Sequence, residues 1–327
     1  MVVTSVITQH PYRGEVDLEA IAALVNLCDA VDQLDRGTSV AELQESYADP
    51  DCDPAQDVKL WRDETGRLLA HAELWRSEVE GTRQSHLTCH VHPDVRHGNL
   101  ETTILNWAEQ QGKRYAQAAN LPGELHVAAR DKQTDWIALY KGQGYSLIRE
   151  FYRMARSLAE PIPESPLPEG YHIRQVDYKT DGEAWIDMFN QSFIDHWNHE
   201  PMTLEQYGYY TKMVEYDPKL DQIAVAPDGT LAAFCYCKIH AQDNLRKGTK
   251  EGWVNVLGTR RGHRQQGLGR AMLLTGLHQL KAAGMAMSLL GVDSINPSGA
   301  LKLYESVGFR QLYTTLIYQK MIYSPVS

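Results

Sequence analysis

Apolar residues recur along the first half of the chain with two different spacings, which predicts a mixture of helices and strands. Spacings of three and four residues predict amphipathic helices at 16–34, 100–116 and 136–141. Shorter apolar runs between these helices predict strands at 58–61, 68–75 and 86–92. The pattern therefore indicates a domain in which helices pack on a sheet.

The second half repeats the same order of elements. Predicted helices lie at 183–193, 268–283 and 298–307, and predicted strands lie at 222–226, 231–240, 253–259, 286–292 and 311–321. Gly284 follows the long central helix, at the position where a left-handed glycine commonly ends a helix. Both halves are therefore predicted to be α/β domains, each built on a mixed sheet.

A proline-rich stretch separates the two halves. Residues 160–170 include four prolines within eight residues, and such a stretch can neither continue a helix nor pair within a central strand. We expect it to link domains at 1–159 and 171–327, since 327 residues suit two domains of about 150 residues each. The alternative is a surface loop within one large domain.

Two pairs of short segments echo each other between the halves. The pattern of residues 138–145 returns at 302–309, where Gly144 and Gly308 are 164 residues apart. The turn at 63–70 returns at 227–233 in the same way. A period this long is typical of domain duplication rather than of a solenoid, whose repeats measure about 20–50 residues.

Composition and charge exclude several classes of protein. The formal net charge is −10, so a general nucleic-acid-binding role, which needs a basic face, is disfavoured. No apolar run approaches the ~18 residues of a membrane span, and the N-terminus lacks the pattern of a signal peptide. We expect a cytoplasmic protein that acts as a monomer, without nucleic-acid or membrane partners.

The five cysteines predict neither a disulfide framework nor a metal site. Their number is odd, they are sparsely placed, and no C-x-x-C pair occurs. Cys235 and Cys237 alternate along a predicted strand and so lie on one face of it. We expect them to be buried, reduced thiols.

The stretch from 253 to 271 carries the strongest chemical signal. A predicted strand runs into a loop rich in glycine and arginine, which leads into the long helix. Gly267 and Gly269 leave room for a ligand beside the backbone, and the free amides of a helix N-terminus bind anions such as pyrophosphate. Four arginines add positive charge to this region of an otherwise acidic chain: Arg260, Arg261, Arg264 and Arg270.

The combination of motifs is more specific than the two glycines alone. The chain contains neither a G-x-x-x-x-G-K-[ST] loop nor a complete G-x-G-x-x-G fingerprint. Instead, the segment R-Q-Q-G-L-G at 264–269 is followed by Asn296, Tyr304 and the pair Gly308-Phe309. In these features residues 171–323 resemble the GNAT superfamily of acetyl-CoA-dependent N-acetyltransferases, whose acyl-CoA motif follows a strand and precedes such an Asn and Tyr.

The resemblance implies acetyl-CoA as co-substrate and assigns its contacts. The backbone of Leu257, Gly258 and Thr259 would bind the pantetheine arm, and Asn296 matches a position that contacts the same arm. The loop and the first helical turn would hold the pyrophosphate through Arg264, Gln265, Gln266, Gly267, Leu268, Gly269, Arg270 and Ala271.

The resemblance also implies that Tyr304 is the general acid. A phenol with a pKa of about 10 is protonated at neutral pH, and it can donate to a thiolate whose thiol has a pKa of about 8.5. Packing in the core beneath the helix at 298–307 is the alternative role for this side chain.

The general base is less well defined. Glu251 begins the strand on which many relatives carry a glutamate, but a shift of two residues would place Trp253 there instead. A solvated charge at the strand end is the alternative role for Glu251. His196 and His199 are further candidates, each with a structural role as its alternative.

The first half carries an altered copy of the acyl-CoA motif. Residues 91–96 keep the V-x-P-x-x-R frame, but Asn99 and Glu101 replace the two glycines. Their side chains would crowd the backbone, and a Glu101 carboxylate has the wrong sign for binding phosphate. Tyr140 is retained. We expect this half to be structural or to form one wall of the acceptor site, with CoA bound in an altered pose as the alternative.

A segment dense in aromatic and polar residues suggests the acceptor site. Residues 193–203 read F-I-D-H-W-N-H-E-P-M-T, and His196, Trp197 and Tyr207 are the predicted substrate-binding residues. This pattern and the tandem layout resemble the mycothiol synthase branch of the family, which acetylates an aminosugar–inositol–cysteine conjugate. Hydrophobic packing is the alternative role for each aromatic side chain, and the first half is too diverged to support the same substrate.

Two classes of function follow from these observations. The favoured one is an N-acetyltransferase acting on a primary amine of a small polar molecule, with catalysis in the second half. The other is a non-catalytic acyl-CoA-binding or scaffolding protein built from a duplicated fold. Release of thiol from acetyl-CoA in the presence of an amine distinguishes the two.

Overall fold

The computed structural model describes residues 6–34, 37–49, 52–164, 166–197, 201–213, 215–296 and 299–325. The chain divides into two compact units. Unit 1 comprises Met1–Arg149 together with Thr315–Ser327, and unit 2 comprises Glu150–Thr314. Each unit is a mixed sheet with helices on both faces, so the predicted α/β class is confirmed.

Unit 1 starts with a short strand and three helices, continues with three consecutive strands, and ends with alternating helices and strands. Its elements are β1 (Thr8–Pro11), α1 (Glu15–Val31), α2 (Val40–Tyr47), α3 (Pro54–Asp57), β2 (Val58–Arg62), β3 (Leu68–Val79), β4 (Thr82–Val91), α4 (Leu100–Ala119), β5 (Gly123–Arg130), α5 (Thr134–Gly142) and the beginning of β6 (Ser146–Ser157). The strand order is β1-β2-β3-β4-β5, in which β4 and β5 pair in parallel and the other neighbours are antiparallel.

Unit 2 repeats this plan. Its elements are the rest of β6, then β7 (His172–Gln175), α6 (Tyr178–Phe193), α7 (Leu204–Tyr210), β8 (Asp221–Val225), β9 (Leu231–Lys238), α8 (Ala241–Lys247), β10 (Glu251–Thr259), α9 (Leu268–Ala282), β11 (Met287–Asp293), α10 (Ala300–Ser306) and the beginning of β12 (Arg310–Tyr323). The strand order is β6-β11-β10-β9-β8-β7, in which β10 and β11 pair in parallel.

Two apolar clusters hold each sheet between its helices. In unit 2, Met272 of α9 packs with Leu290 on one face of the sheet, and Trp185 of α6 packs with Phe234 on the other. In unit 1, α4 covers one face, and α1 and α2 cover the other. Each helix buries one apolar stripe against the sheet, which explains why apolar residues recur at helical spacing in the sequence.

The predicted helices and strands are confirmed with small shifts at their ends, but the prediction omitted several elements. Missing were the edge strands β1 and β7, the short helices α2, α3, α7 and α8, and strands β5 and β6. In β5, Leu125, His126 and Val127 are buried in succession, so no alternation marks it as a strand. The helix predicted from residue 298 begins at Ala300, and residues 297 and 298 lie outside the described residues.

The final strands do not follow the predicted domain boundary. β12 falls in the predicted second domain, yet it pairs with β5 of unit 1 from Thr315 to Tyr323. Residues 151–157 of β6 fall in the predicted first domain, yet they pair with β11 of unit 2. Each unit is thus completed by a strand from the other half of the sequence. Such pairing depends on hydrogen bonds between distant segments, which a local hydrophobic pattern does not encode.

The cysteines are free thiols in the structure. Cys28, Cys235 and Cys237 are buried, which agrees with the expectation for the pair on β9. Among the described residues, none of the helices combines the length and the apolar character needed to cross a bilayer.

Tyr318→Ala tests the assignment of β12 to unit 1. Tyr318 is 1% exposed in the core that contains α4 and β5, so its loss should destabilise unit 1 by about 3–5 kcal/mol. Hydrogen exchange should accelerate over residues 82–130 and change little over 221–238. Tyr318→Phe is the control and should have a smaller effect. Loss of protection confined to residues 221–238 would contradict the assignment.

Candidate active site

Strand β10 separates from its parallel partner β11 within unit 2. The two strands pair from Glu251 to Trp253, whereas β10 stays paired with β9 from Trp253 to Thr259. β11 continues beside β6 as far as Asp293. In the strand pairing that the structure describes, the β11 side of β10 therefore borders an opening from Val254 to Thr259. The backbone N–H and C=O groups that face this opening need other partners.

A bulge changes the direction of the β10 side chains as the strand leaves its partner. The register with β9 shifts between Val254 and Val256. Val254 packs with α9 on one face and Val256 with α6 on the other, although residues two apart on a regular strand share a face. Leu257 packs again with the α9 cluster. The open edge nevertheless continues without a break to the following loop.

The loop after β10 brings backbone amides to the end of this opening. Gln265 and Gly267 have left-handed backbone, with φ of 62° and 87°. A Cβ on Gly267 would have no atom within 4 Å. Helix α9 then begins without a capping side chain. The amides of Leu268, Gly269 and Arg270 have no acceptor within the helix, so they can bind an anion.

The first turn of α9 is held against the core and the end of β10. Ala271 is buried, and its N–H donates to the Gly267 carbonyl at 3.0 Å. The predicted row of amides open to an anion therefore ends at Arg270. A Cβ on Gly269 would lie 3.4 Å from Thr259 Oγ1, so the start of the helix packs beside the end of the strand.

The Arg264 side chain holds the loop in place. Its Nε donates to the Thr259 carbonyl at 3.1 Å, and its Nη2 donates to the Ser192 carbonyl at 2.8 Å. Its Nη1 donates to Asp195 at 3.0 Å. All three nitrogens therefore have partners within the protein, and the side chain connects the end of β10 to the end of α6.

The two arginines before Arg264 are paired as well. Arg261 pairs with Asp195, and Arg260 pairs with Asp187 at 2.7 Å. Hydrogen bonds from Arg261 and then Arg264 hold the pKa of Asp195 below its ordinary value, so this carboxylate is charged at neutral pH. Carboxylates near the end of α6 thus balance much of the positive charge predicted for the anion site, and backbone amides are its main donors.

Three other residues were predicted to contact the cofactor. A Cβ on Gly258 would come within 2.4 Å of the Phe234 ring, so this glycine lets the strand pack against its neighbours. Gln266 Oε1 accepts a hydrogen bond from the Tyr171 hydroxyl at 3.3 Å. Asn296 lies three residues after the end of β11.

Tyr304 of α10 lies in the core on the α9 side of the sheet. It is buried in the same cluster as Leu268, and Arg270 of α9 donates to Ser306 Oγ of α10 at 2.8 Å. Burial raises the pKa of Tyr304 well above its ordinary value, so the phenol is protonated at neutral pH. Among the described residues, its hydroxyl has no hydrogen-bond partner.

The residues predicted to bind the acceptor have different environments. His196 and Trp197 follow α6 and are half-buried. Tyr207 of α7 is instead buried and stacks on Trp185, with 4.1 Å between the ring centroids. Packing in the core of unit 2 therefore explains Tyr207, in place of the predicted contact with substrate. His199 lies outside the described residues.

Glu251 lies in the paired part of β10, before the opening. Asn244 donates to its carbonyl at 2.8 Å and accepts from its N–H at 2.9 Å. A Cβ on Gly252 would meet Leu280 of α9, so Gly252 faces α9. Glu251 and Trp253 alternate with it and lie on the opposite face of the sheet.

The sequence analysis missed a charged cluster on that opposite face. Glu215 accepts hydrogen bonds from His240 Nδ1 at 2.8 Å and from Lys238 Nζ at 2.9 Å. Lys238 pairs across the strands with Trp253, and the Arg153 guanidinium lies 4.2 Å from the centre of the Trp253 ring. These residues come from separate parts of unit 2, so no local motif could have identified them.

Unit 1 repeats the arginine contacts but fills the anion site itself. Arg96 Nε donates to the Val91 carbonyl at 2.9 Å, and its guanidinium pairs with Asp32, as Arg264 does in unit 2. His97 has left-handed backbone with φ of 64°, and its N–H donates to the buried Glu101 carboxylate at 2.9 Å. An internal carboxylate therefore binds a loop amide that an external anion would need.

The tyrosines of the two copies also differ. The Tyr140 hydroxyl donates to the Ala128 carbonyl at 3.4 Å. Its ring packs against Trp136, Tyr145 and Tyr318. Tyr140 is thus engaged in the core of unit 1, whereas Tyr304 keeps a hydroxyl without such a partner in the described part of the chain.

Comparisons with known sequences agree with this geometry. Residues 182–309 match the model of the acetyltransferase (GNAT) family. A mycothiol acetyltransferase of Thermobispora bispora is 33% identical over 234 residues, which cover 70% of this chain and 74% of that protein. A mycothiol acetyltransferase of Salinispora arenicola is 28% identical and covers 93% of this chain and 92% of its own length.

Solved structures agree on the fold. A GCN5-related N-acetyltransferase from Sphaerobacter thermophilus superposes with a TM-score of 0.78 and 23% identity, covering 98% of this chain and 97% of that one. A tandem GNAT protein from the clavulanic acid biosynthesis pathway has a TM-score of 0.73 and 13% identity, covering 98% of this chain and all of that one. At these identities the likeness extends to the fold alone.

Asp195→Asn tests the role of the arginine contacts. The change removes the charge that pairs with Arg261 and Arg264, so the loop at 260–267 should exchange its amide hydrogens faster. The melting temperature should change little, because exposed ion pairs contribute little to global stability. Asp187→Asn removes only the pairing with Arg260 and is the matched control. Unchanged exchange in Asp195→Asn would contradict the positioning role.

Proposed function

The chain belongs to the GNAT family and is an acetyl-CoA-dependent N-acetyltransferase, and on this premise we propose that unit 2 alone carries catalysis and that the acceptor is a small polar primary amine. Unit 1 is then a copy of the same fold that has a structural or substrate-shaping role.

The difference between the two anion sites carries this proposal. In unit 2, a Cβ on Gly267 would meet no atom within 4 Å, and α9 begins without a capping side chain, so the amides of its first turn keep no internal acceptor. In unit 1, the Glu101 carboxylate already accepts from a loop amide. The helix N-terminus of unit 2 attracts the negative charge of a pyrophosphate. In unit 1 the Glu101 carboxylate already holds that position and repels a second anion.

Acetyl-CoA supplies the activated acetyl thioester, and the chain supplies positions and protons. The amides of Leu268, Gly269 and Arg270 would hold the pyrophosphate, and the open edge of β10 would align the arm as an extended peptide aligns on a strand. From Thr259 to Trp253 this edge measures about 20 Å, at ~3.3 Å per residue. The opening therefore leads from the anion site to the charged cluster around Glu215.

Tyr304 is the proposed proton donor to the leaving sulfur. Its phenol is neutral at physiological pH, and burial raises its pKa further. Burial also raises the pKa of a thiol above its value in water. The pKa of the phenol and the pKa of the leaving thiol therefore rise together inside the site. Donation as charge develops on sulfur stabilises the transition state more than the bound substrate.

The charged cluster opposite α9 favours a small polar acceptor. The cluster presents both signs of charge, from Glu215, Lys238, His240 and Arg153. An apolar acceptor would take these groups out of water and offer them no hydrogen bonds in return. Since relatives are named mycothiol acetyltransferase, the amine precursor of mycothiol is the first acceptor to test. The assay is mass spectrometry with that conjugate, L-cysteine amide and glucosamine, and no acetylated product from any of them would contradict the acceptor class.

Gly269→Glu should close the anion site of unit 2 in the way that Glu101 closes its counterpart. The affinity for acetyl-CoA should fall at least about tenfold, since the new carboxylate can accept from the Gln265 amide, as Glu101 does from that of His97, and places negative charge beside the amides of the first helical turn. Gly269→Gln adds similar bulk without charge and should lose less affinity. Calorimetry measures both variants. A folded Gly269→Glu protein that binds acetyl-CoA normally would contradict the location of the site.

Tyr304→Phe removes the proposed proton donor and keeps the ring. The value of kcat should fall about 10²–10⁴-fold, while acetyl-CoA binding is retained. Tyr140→Phe changes the counterpart in unit 1 and should leave kcat nearly unchanged. Thermal melting checks that both variants are folded. Normal turnover by Tyr304→Phe at neutral pH would return this residue to a packing role.

A further inference from the structure

Glu215, Lys238 and His240 form a hydrogen-bonded cluster on the face of unit 2 opposite α9. Glu215 Oε2 lies 2.8 Å from His240 Nδ1 and 2.9 Å from Lys238 Nζ. A carboxylate can only accept hydrogen bonds, so Nδ1 carries the proton in the neutral ring and Nε2 carries the lone pair. A carboxylate on Nδ1 is also the arrangement that orients histidine bases in serine hydrolases.

Glu215 remains ionised within this cluster. Burial alone would raise its pKa, but the hydrogen bonds from His240 and Lys238 lower the pKa below its ordinary value. The ionised carboxylate holds the ring through Nδ1 and leaves the lone pair on Nε2 free to accept a proton. The cluster therefore has the orientation that a histidine base requires.

His240 lies at the closed end of the opening in the sheet. Its ring makes an edge-to-face contact with Trp253, with 6.1 Å between the centroids. Trp253 is the last residue of β10 that pairs with β11. Glu251 lies two residues, or roughly 7 Å, further into the paired region. His240 is thus better placed than Glu251 to reach a group bound in the opening.

We propose that His240, oriented by Glu215, is the general base that removes the proton from the acceptor amine. This inference rests on the proposed function. His240 Nε2 takes a proton from the amine nitrogen as that nitrogen bonds to the acetyl carbonyl carbon. The carbon–sulfur bond breaks, and the sulfur receives the phenol proton of Tyr304. The imidazolium then loses its proton to solvent, and the tyrosinate regains one, so both groups return to their starting states.

The two proton-transfer groups lie on opposite faces of the sheet. Tyr304 packs in the cluster of α9, whereas His240 contacts Trp253 on the other face. Because β10 and β11 are separated beyond Trp253, both faces have access to the space between the strands. The amine can therefore approach from the side of His240 while the sulfur faces Tyr304.

The test compares His240→Gln, His240→Ala and Glu215→Gln with the native enzyme, using the amine that gives most product in the acceptor panel. His240→Gln should lower kcat about 10²–10⁴-fold and leave the affinity for acetyl-CoA within about twofold. Added imidazole should restore activity to His240→Ala but not to Tyr304→Phe. Glu215→Gln should show a smaller loss of kcat, since it removes the orienting charge and keeps the base.

The controls separate this inference from the proposed function. His278→Gln changes an exposed histidine on α9 and should keep native activity. If the native enzyme acetylates none of the amines, the proposed function fails. If it acetylates an amine and folded His240→Gln keeps the native kcat, the base assignment alone is overturned. Absence of imidazole rescue, or a larger loss in Glu251→Gln than in His240→Gln, overturns it as well.

Discussion

The separation of β10 from β11 after Trp253 is the constraint on which the rest of the site depends. Backbone groups inside a sheet must be paired, so an edge that loses its neighbour within a core has to be satisfied by water or by a ligand. β9 keeps the other edge of β10 paired as far as Thr259, which holds the open edge rigid. The same separation places the helix N-terminus at one end of the opening and the charged cluster of Glu215 at the other.

Duplication has preserved the scaffold of this site and changed the groups that would meet a phosphate. Arg96 in unit 1 and Arg264 in unit 2 each bond a strand-end carbonyl and an aspartate near the end of a helix. The arginine of the acyl-CoA motif thus works as a structural element in both copies. Glu101 stands where unit 2 has Gly269, so unit 1 has a carboxylate at a position where unit 2 has no side chain. In unit 1 a loop amide is therefore satisfied by the chain's own carboxylate.

The sequence predicted the features that depend on local patterns. The helical spacing around α9 and the glycines at its start predicted a candidate anion site, and the altered copy at Asn99 and Glu101 was visible without coordinates. The features that depend on contacts between segments distant in the sequence were not predictable. These include the position of β12 beside β5, the burial of Tyr207 against Trp185, and the meeting of Glu215 with His240. The partners of Arg264 were also hidden, because Asp195 and Ser192 lie about seventy residues earlier in the chain.

The central claim is that one of two homologous anion sites is open and the other is closed by its own carboxylate. Calorimetric titration of the full chain with acetyl-CoA tests it most directly, because the stoichiometry counts the open sites. The account predicts one acetyl-CoA bound per chain. Two sites of similar affinity would contradict it, since the Glu101 carboxylate would then fail to exclude the pyrophosphate from unit 1.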